Sequence, residues 1–317
     1  VDTSNYPDYP NVRTPEELGF SRIVYTKTEG VATVTINREE VLNATDFHTL
    51  KEMSRAFEDA SYDDSVGVVV LTGAGKRAFC TGADLDEQEQ FLRKRADYWK
   101  WMGAFIEAHD RLRNIGKPTI ARLNGMVVGG GNEFNIACDL AIAAEHVTIR
   151  QVGTSRGSVP AGGATQWLPL IIGDRRAREM LWLCEPISAT TALDWGLVNQ
   201  VVPFDDLDAA VARMAKKLLN KMPEVIRYAK QQTNFWRDFS WSLTVGHARD
   251  WLAIHADAEE TAEGLDSFHG KREVDYATLR GHLSEGSRPC SNCASMVPAR
   301  YDFCGVCGTK QGGGANG

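Results

Sequence analysis

Four cysteines in an eighteen-residue stretch have the most explicit chemistry in the chain: Cys290-Ser-Asn-Cys293, ten residues, then Cys304-Gly-Val-Cys307 and Gly308. Each C-x2-C knuckle turns two thiolates toward one point. Four thiolates fill the tetrahedral shell of Zn2+, so the pattern predicts a structural zinc ribbon with Cys290, Cys293, Cys304 and Cys307 as ligands. The spacer is long enough for a tight hairpin around Met296–Tyr301. Two disulfides or a redox C-x2-C pair are the competing readings, and nothing thioredoxin-like surrounds the pairs. Cys80, Cys138 and Cys184 stand alone among apolar or small residues and read as reduced, buried side chains.

Two glycine-rich segments, Thr72–Leu85 (TGAGKRAFCTGADL) and Asn124–Glu133 (NGMVVGGGNE), follow predicted strands. Neither has the spacing of a P-loop or of a dinucleotide-binding turn. The plain reading of each is a tight strand-to-helix turn. A pair of such turns on two strands can also aim two backbone N–H groups at one oxygen, the geometry of an oxyanion hole, because glycine lets the backbone approach closely. None of the seven histidines, His48, His109, His146, His247, His255, His269 and His282, accompanies a Ser or Cys in a hydrolase-elbow motif, so a Ser-His-Asp reading has no support.

The elements that must position these loops are legible from their periodicity. Val24–Lys27 and Val31–Ile36 read as a hairpin, and a Thr45/Asp46 cap opens a helix over about 47–60. Val66–Leu71, Thr119–Leu123 and Leu140–Ala144 read as buried strands, and 86–115 has helical spacing. Strands alternate with helices to about residue 150, which predicts α/β with a largely parallel sheet. From residue 175 onward the pattern is almost wholly helical. The expected organisation is an extended lead-in (1–20), a core (21–205), a helical region (206–286), the ribbon (287–310) and a flexible tail (311–317). The chain has 317 residues and a formal charge of −7, so it has no global field for nucleic acid. No apolar run reaches the roughly 18 residues of a membrane span, and no secretory signal is visible. A cytoplasmic protein is the expectation.

The segments AFCTGADL, NGMVVGGGNEFNIACDLAIA, GTSRGSVPAGGATQWLP and ISATTALDWGLVNQVVP together resemble the crotonase (enoyl-CoA hydratase/isomerase) superfamily, from about Ile23 to about Pro203. The resemblance implies a stacked ββα core with a C-terminal helical region, a homotrimer or hexamer, and an acyl-CoA thioester as substrate. By motif position it implies that the amides of Ala83 and Gly130 grip the thioester oxygen and stabilise an enolate. It puts Arg77, beside Lys76, near the nucleotide phosphates and Thr81 near the adenine, with a solvated surface pair as the equal competitor. Glu133 matches the first of two glutamates that family hydratases use. The second falls at Gly153, a departure that the family's naphthoate-synthase and ring-opening branches share.

A narrower similarity, in GTSRGSVPAGGATQWLPLIIG, LCEPISA, WLAIHADAEETAEGLDSF and REVDYATLR, is to the 6-oxocyclohex-1-ene-1-carbonyl-CoA hydrolases. It implies hydrolytic C–C ring cleavage of a cyclic β-oxoacyl-CoA. On this reading Glu133 moves the proton, and Gly153 leaves room for a ring, a water or an anion. Ser158, with Thr154 and Ser155, can then reach the ketone oxygen. Turn or helix-cap duty is the stronger reading for Thr154 and Ser155. Tyr98, Trp99, Trp101 and Phe105 are either an apolar lid over the ring or helix packing. The alternatives are an enoyl-CoA hydratase or isomerase with one glutamate, and a non-catalytic CoA-binding scaffold. The ribbon is a possible contact for a protein partner.

Overall fold

The structure is a computed structural model and describes residues 12–92, 94–256 and 258–311. All of the expected tail (311–317) except Gln311, and most of the expected lead-in, lie outside these residues. The described end of the lead-in is not extended throughout: Pro15–Leu18 form one helical turn, α1, closed by a capping box between Thr14 and Glu17. The chain forms two compact units, one running to Thr261 and the other from Ala262 onward.

In the first unit, β1 (Ile23–Thr28) and β2 (Val31–Ile36) form an antiparallel hairpin. Its turn residues, Glu29 and Gly30, have φ of 51° and 80°, as the right-handed twist of the flanking strands requires. Asp46 then accepts the Thr49 N–H at 2.7 Å and opens α2 (Phe47–Tyr62), which buries Leu50, Met53, Ala56, Phe57 and Ala60. The next three strand pairs share one plan. β3 (Val68–Gly73) leads to β4 (Ala78–Cys80), then to helices α3 (Leu85–Leu92) and α4 (Arg95–Arg113). β5 (Thr119–Leu123) leads to β6 (Met126–Val128) and α5 (Gly130–Ala137). β7 (Leu140–Ala144) leads to β8 (Thr148–Arg150), then α6 (Ala164–Ile172) and α7 (Asp174–Leu183).

The first member of each pair joins one sheet and the second joins another. The larger sheet has the order β1-β2-β3-β5-β7-β10, parallel from β2 onward, and the smaller has β4-β6-β8-β9. The closing elements are β9 (Ile187–Ser188), α8 (Ala189–Asp194), β10 (Gln200–Val202), α9 (Leu207–Leu219), α10 (Pro223–Thr233) and α11 (Phe235–Ile254). This α/β arrangement of repeated ββα units is the expected fold class. The strands of the smaller sheet, two or three residues each, are too short to leave a periodic signal. All six residues of β3 are buried, which is why its sequence is continuously apolar rather than alternating.

The helix α12 (Glu259–His269) is followed by α13 (Tyr276–Leu283). A bidentate Arg272–Glu263 pair, with contacts of 2.5 and 2.7 Å, ties the second unit together. There the antiparallel pair β11 (Ser287–Pro289) and β12 (Met296–Pro298) carries the cysteine knuckles. No helix among the described residues is long and apolar enough to cross a membrane.

Candidate active site

The three-glycine run packs β6 and α5 against the neighbouring β4. A Cβ on Gly131 would stand 2.0 Å from the Cys80 carbonyl oxygen, so only glycine fits there. This close approach fixes the first turn of α5, which presents Glu133. The side chain is buried, 3% exposed. Its Oε1 accepts the Gly162 N–H at 2.8 Å and, at longer range, the Ala164 N–H at 3.4 Å. Oε2 takes no hydrogen bond from the described residues. Burial pushes the carboxyl up to about 7, against the downward pull of the two amides. A carboxyl balanced near neutrality can both take and give a proton.

The other glycine loop reaches the same place. Gly82 has φ of 90°, and a Cβ on it would lie 3.0 Å from the Gly130 nitrogen. The Thr45 N–H donates to the Gly82 carbonyl at 2.8 Å, and the Asp84 N–H to the Thr45 carbonyl at 3.0 Å, so the backbone on both sides of Ala83 is pinned. The N–H of Gly130 belongs to the first turn of α5, where no intrahelical partner exists. Among the described residues neither this N–H nor that of Ala83 donates a hydrogen bond. The two loops therefore bring two unused main-chain donors into adjoining segments at the start of the helix that carries Glu133.

A column of buried rings runs along α4, and its Phe105 end reaches the site. Tyr98 stacks on Trp101, Trp101 on Phe105, and Phe105 lies 4.4 Å from the His109 ring. Phe105 also touches the Gly130 segment: a Cβ on Gly130 would meet its ring at 3.2 Å. His109 is fully buried, stacked 4.0 Å from the Phe134 ring, and its Nδ1 donates to the Phe105 carbonyl at 2.8 Å. Its Nε2 has no partner. At Gly162 the site closes. A Cβ there would fall 2.7 Å from Glu133 Oε2, 2.8 Å from His109 Nε2 and 2.8 Å from the Phe105 ring. Sequence reasoning set His109 aside with the other histidines because it sits in no motif. Its signal was the helical spacing 98, 101, 105, 109, which places it on the aromatic stripe.

A sequence model of the enoyl-CoA hydratase/isomerase family matches residues 26–278. The chain belongs to this family. Among solved structures it is similar to an enoyl-CoA hydratase from Bacillus anthracis at 31% identity, covering 81% of this chain and 99% of that one with a TM-score of 0.64. An enoyl-CoA hydratase from Mycobacterium avium subsp. paratuberculosis matches at 26% identity, over 81% and 98% of the two chains, with a TM-score of 0.73. An enoyl-CoA hydratase/isomerase from Xanthobacter autotrophicus matches at 29% identity, over 79% and 94%, with a TM-score of 0.69. The protein is thus an acyl-CoA-processing enzyme of the crotonase superfamily. The family match ends before the four cysteines.

Within this family site, some residues stand apart from Glu133. A Cβ on Gly153 would collide with the Ser158 carbonyl oxygen at 2.8 Å and Pro160 Cδ at 3.1 Å. The room expected beside Gly153 is therefore filled by the loop's own backbone along the direction a side chain would take. Ser158 donates its N–H to the Gly153 carbonyl at 2.9 Å, and its hydroxyl makes only a 3.5 Å approach to the Val159 carbonyl. Ser155 donates to the Val152 carbonyl at 2.9 Å, which is turn duty, whereas Thr154 donates at 2.6 Å to the Leu181 carbonyl in the last turn of α7. Trp99 leaves the aromatic column: it is exposed, lies under the Arg249 guanidinium and donates to Asp250. Arg77 is exposed and faces Glu39, while Thr81 donates to the Leu42 carbonyl at 3.2 Å.

The four cysteines do converge. All four Sγ atoms lie within 4.8 Å of one another, with Cys290–Cys307 at 3.6 Å and Cys293–Cys304 at 3.7 Å. These separations exclude disulfides, whose sulfurs are about 2.05 Å apart. The knuckles are near copies. The Ala294 N–H donates to the Cys290 carbonyl at 3.0 Å and the Gly308 N–H to the Cys304 carbonyl at 2.8 Å. The Asn292 and Val306 amides each point at the first sulfur of their knuckle at 3.4 Å. Ala294 and Gly308 both have positive φ, 60° and 71°.

Proposed function

We propose that the enzyme cleaves a carbon–carbon bond of a cyclic β-oxoacyl-CoA by adding water. The observation that supports this is one buried carboxyl, Glu133, with a bare Oε2, on a helix whose start adjoins two unused amides, and no space for a side chain at Gly153. The N–H groups of Ala83 and Gly130 hold the thioester oxygen. Glu133 takes a proton from water, and the hydroxide bonds to the ring ketone carbon. The bond from that carbon to Cα breaks, and its electron pair enters the thioester enolate. Glu133 returns the proton to Cα, leaving an open chain with a new carboxylic acid. One water is consumed and no oxidant is needed. Losing one donor of such a hole costs roughly 2.7–4 kcal/mol in a measured protease. Ser158 is proposed to face the ketone, and Arg77 and Thr81 to face the nucleotide part of coenzyme A.

The solved relatives are described as enoyl-CoA hydratases, which favours a second reading: hydration or isomerisation of an enoyl-CoA with Glu133 alone. A panel of cyclic oxoacyl-CoAs and crotonyl-CoA separates the two. Ring opening yields a product one water heavier that carries a new carboxylate and releases a proton to solution. Rapid hydration of crotonyl-CoA with no ring opened would overturn the first reading.

For the ribbon we propose a structural zinc ion. A tetrahedron of thiolates with Zn–S of about 2.3 Å has sulfur–sulfur edges of about 3.8 Å, close to the 3.6 and 3.7 Å separations. Cys290, Cys293, Cys304 and Cys307 would hold it, and the amides aimed at the sulfurs would stabilise their charge. Four protein ligands leave no open position for catalysis. Metal analysis should find one zinc per chain. Its absence from protein purified under reducing conditions would refute the site.

A further inference from the structure

Resting on the role of Glu133 proposed above, we infer that His109 is a positioning residue for the Glu133 proton, its Nε2 accepting a hydrogen bond from a single water that bridges it to Oε2. The tautomer follows from the Nδ1 bond. A carbonyl only accepts, so Nδ1 carries the hydrogen that points at Phe105, and in the neutral ring Nε2 is a bare acceptor. The ring cannot turn this atom elsewhere, because it is stacked on Phe134, packed at a tilt against Phe105 and tied at Nδ1. A fully buried acceptor without a partner costs stability and calls for a reason.

The reason lies opposite. Nε2 and Glu133 Oε2 stand 2.8 and 2.7 Å from one point above Gly162, so they are at most about 5.5 Å apart. One water spans that distance with two ordinary hydrogen bonds, accepting from the protonated Oε2 and donating to Nε2. Both atoms lack any protein hydrogen bond among the described residues, and glycine at 162 is what keeps a side chain out from between them. No proton changes owner in the resting site: the protonated Oε2 donates to the bridging water and the water donates to Nε2. Burial pushes the His109 ring down to about 4, so it stays a neutral acceptor that holds the Glu133 proton on the carboxyl and aimed at the bridge.

The charged neighbours are few. α5 contributes only Glu133, and the Pro160–Ala164 segment contributes none. On α4, Arg113 follows one turn after His109 and is already paired with Asp110 and with Asp238 of α11.

The test compares His109→Met, which keeps bulk but has no nitrogen acceptor, with His109→Gln, which offers an amide oxygen in a similar place. The midpoint of Glu133 protonation is read in the ligand-free protein from its carboxyl infrared band, assigned by its loss in Glu133→Gln. An acceptor stabilises the protonated acid, so its removal should lower the midpoint in His109→Met, and His109→Gln should restore it. With the best substrate of the acyl-CoA panel, His109→Met should lower kcat about tenfold or more with KM within about threefold, and His109→Gln should recover part of that loss. A midpoint that stays or rises in His109→Met, or two variants that behave alike, would overturn the inference. The infrared arm needs no turnover, so a failure of the acyl-CoA assignment would remain distinguishable from a failure of the pair.

Discussion

Two glutamates of this protein are equally hidden from solvent and chemically opposite. Glu52, on α2, is 4% exposed and Glu133, on α5, 3%. Glu52 is saturated: Oε1 accepts from the Ser21 N–H at 2.8 Å and the Ser21 hydroxyl at 3.0 Å and meets His48 at 2.8 Å. Its Oε2 accepts from the Arg22 and Ile23 N–H groups at 2.7 and 3.2 Å. Burial alone would push its carboxyl up, but these donors outweigh it and hold the group below the usual glutamate range. Glu133 has donors on one oxygen only, burial wins, and the carboxyl rises to about 7. The difference teaches what sets the proton affinity of a buried acid. A buried carboxylate whose donors are complete fastens the β1 end to α2, and one whose donors are withheld is left reactive.

The largest test of the contrast is catalytic. Glu133→Gln should lower kcat by about 10²–10⁴-fold, while Glu52→Gln should leave kcat within about twofold in whatever fraction remains folded, measured on the same substrate. Next comes the pH dependence of stability. An acid whose folded value is raised makes the folded state bind more protons, so wild-type stability should fall as pH climbs from about 4.5 toward 7 and then level. Glu133→Gln removes that slope, and above pH 7 it should gain up to about 3 kcal/mol over wild type relative to pH 4.5, by urea unfolding. A flat wild-type curve would mean that Glu133 is solvated.

Glu52 should show the reverse sign. Its contribution is complete above the unfolded value of about 4.3 and is lost as pH falls through its lowered folded value. Glu52→Gln, which turns an acceptor into a donor facing an amide, should cost about 1.5–3 kcal/mol at pH 7. The smallest effect belongs to Ser21→Ala, which removes one hydroxyl donor and should cost about 1 kcal/mol with no change in activity.

Much of this was legible before any coordinates. The strands Thr119–Leu123 and Leu140–Ala144 and the Asp46 cap fall where periodicity and capping chemistry put them, because buried parallel strands and helix starts write themselves into short local runs. Within the helical region expected over 206–286, the break between α11 and α12 was not foreseen. Apolar spacing continues across the break, and only tertiary packing reveals it. At the site, the glycine loops and Glu133 were visible as motifs. The filled space at Gly153 and the partnerless nitrogen of His109 were not, since each depends on atoms tens of residues away. The divergence of Trp99 from its three neighbours turns on Arg249 and Asp250, about 150 positions downstream.

The unused donors of Ala83 and Gly130 belong to the main chain. Ordinary point substitutions exchange side chains and leave such hydrogens in place, and only proline deletes one outright. Descendants of this gene can therefore drift in every surrounding side chain while these two donors are inherited intact, so the loops can be re-lined without first surrendering their hydrogens.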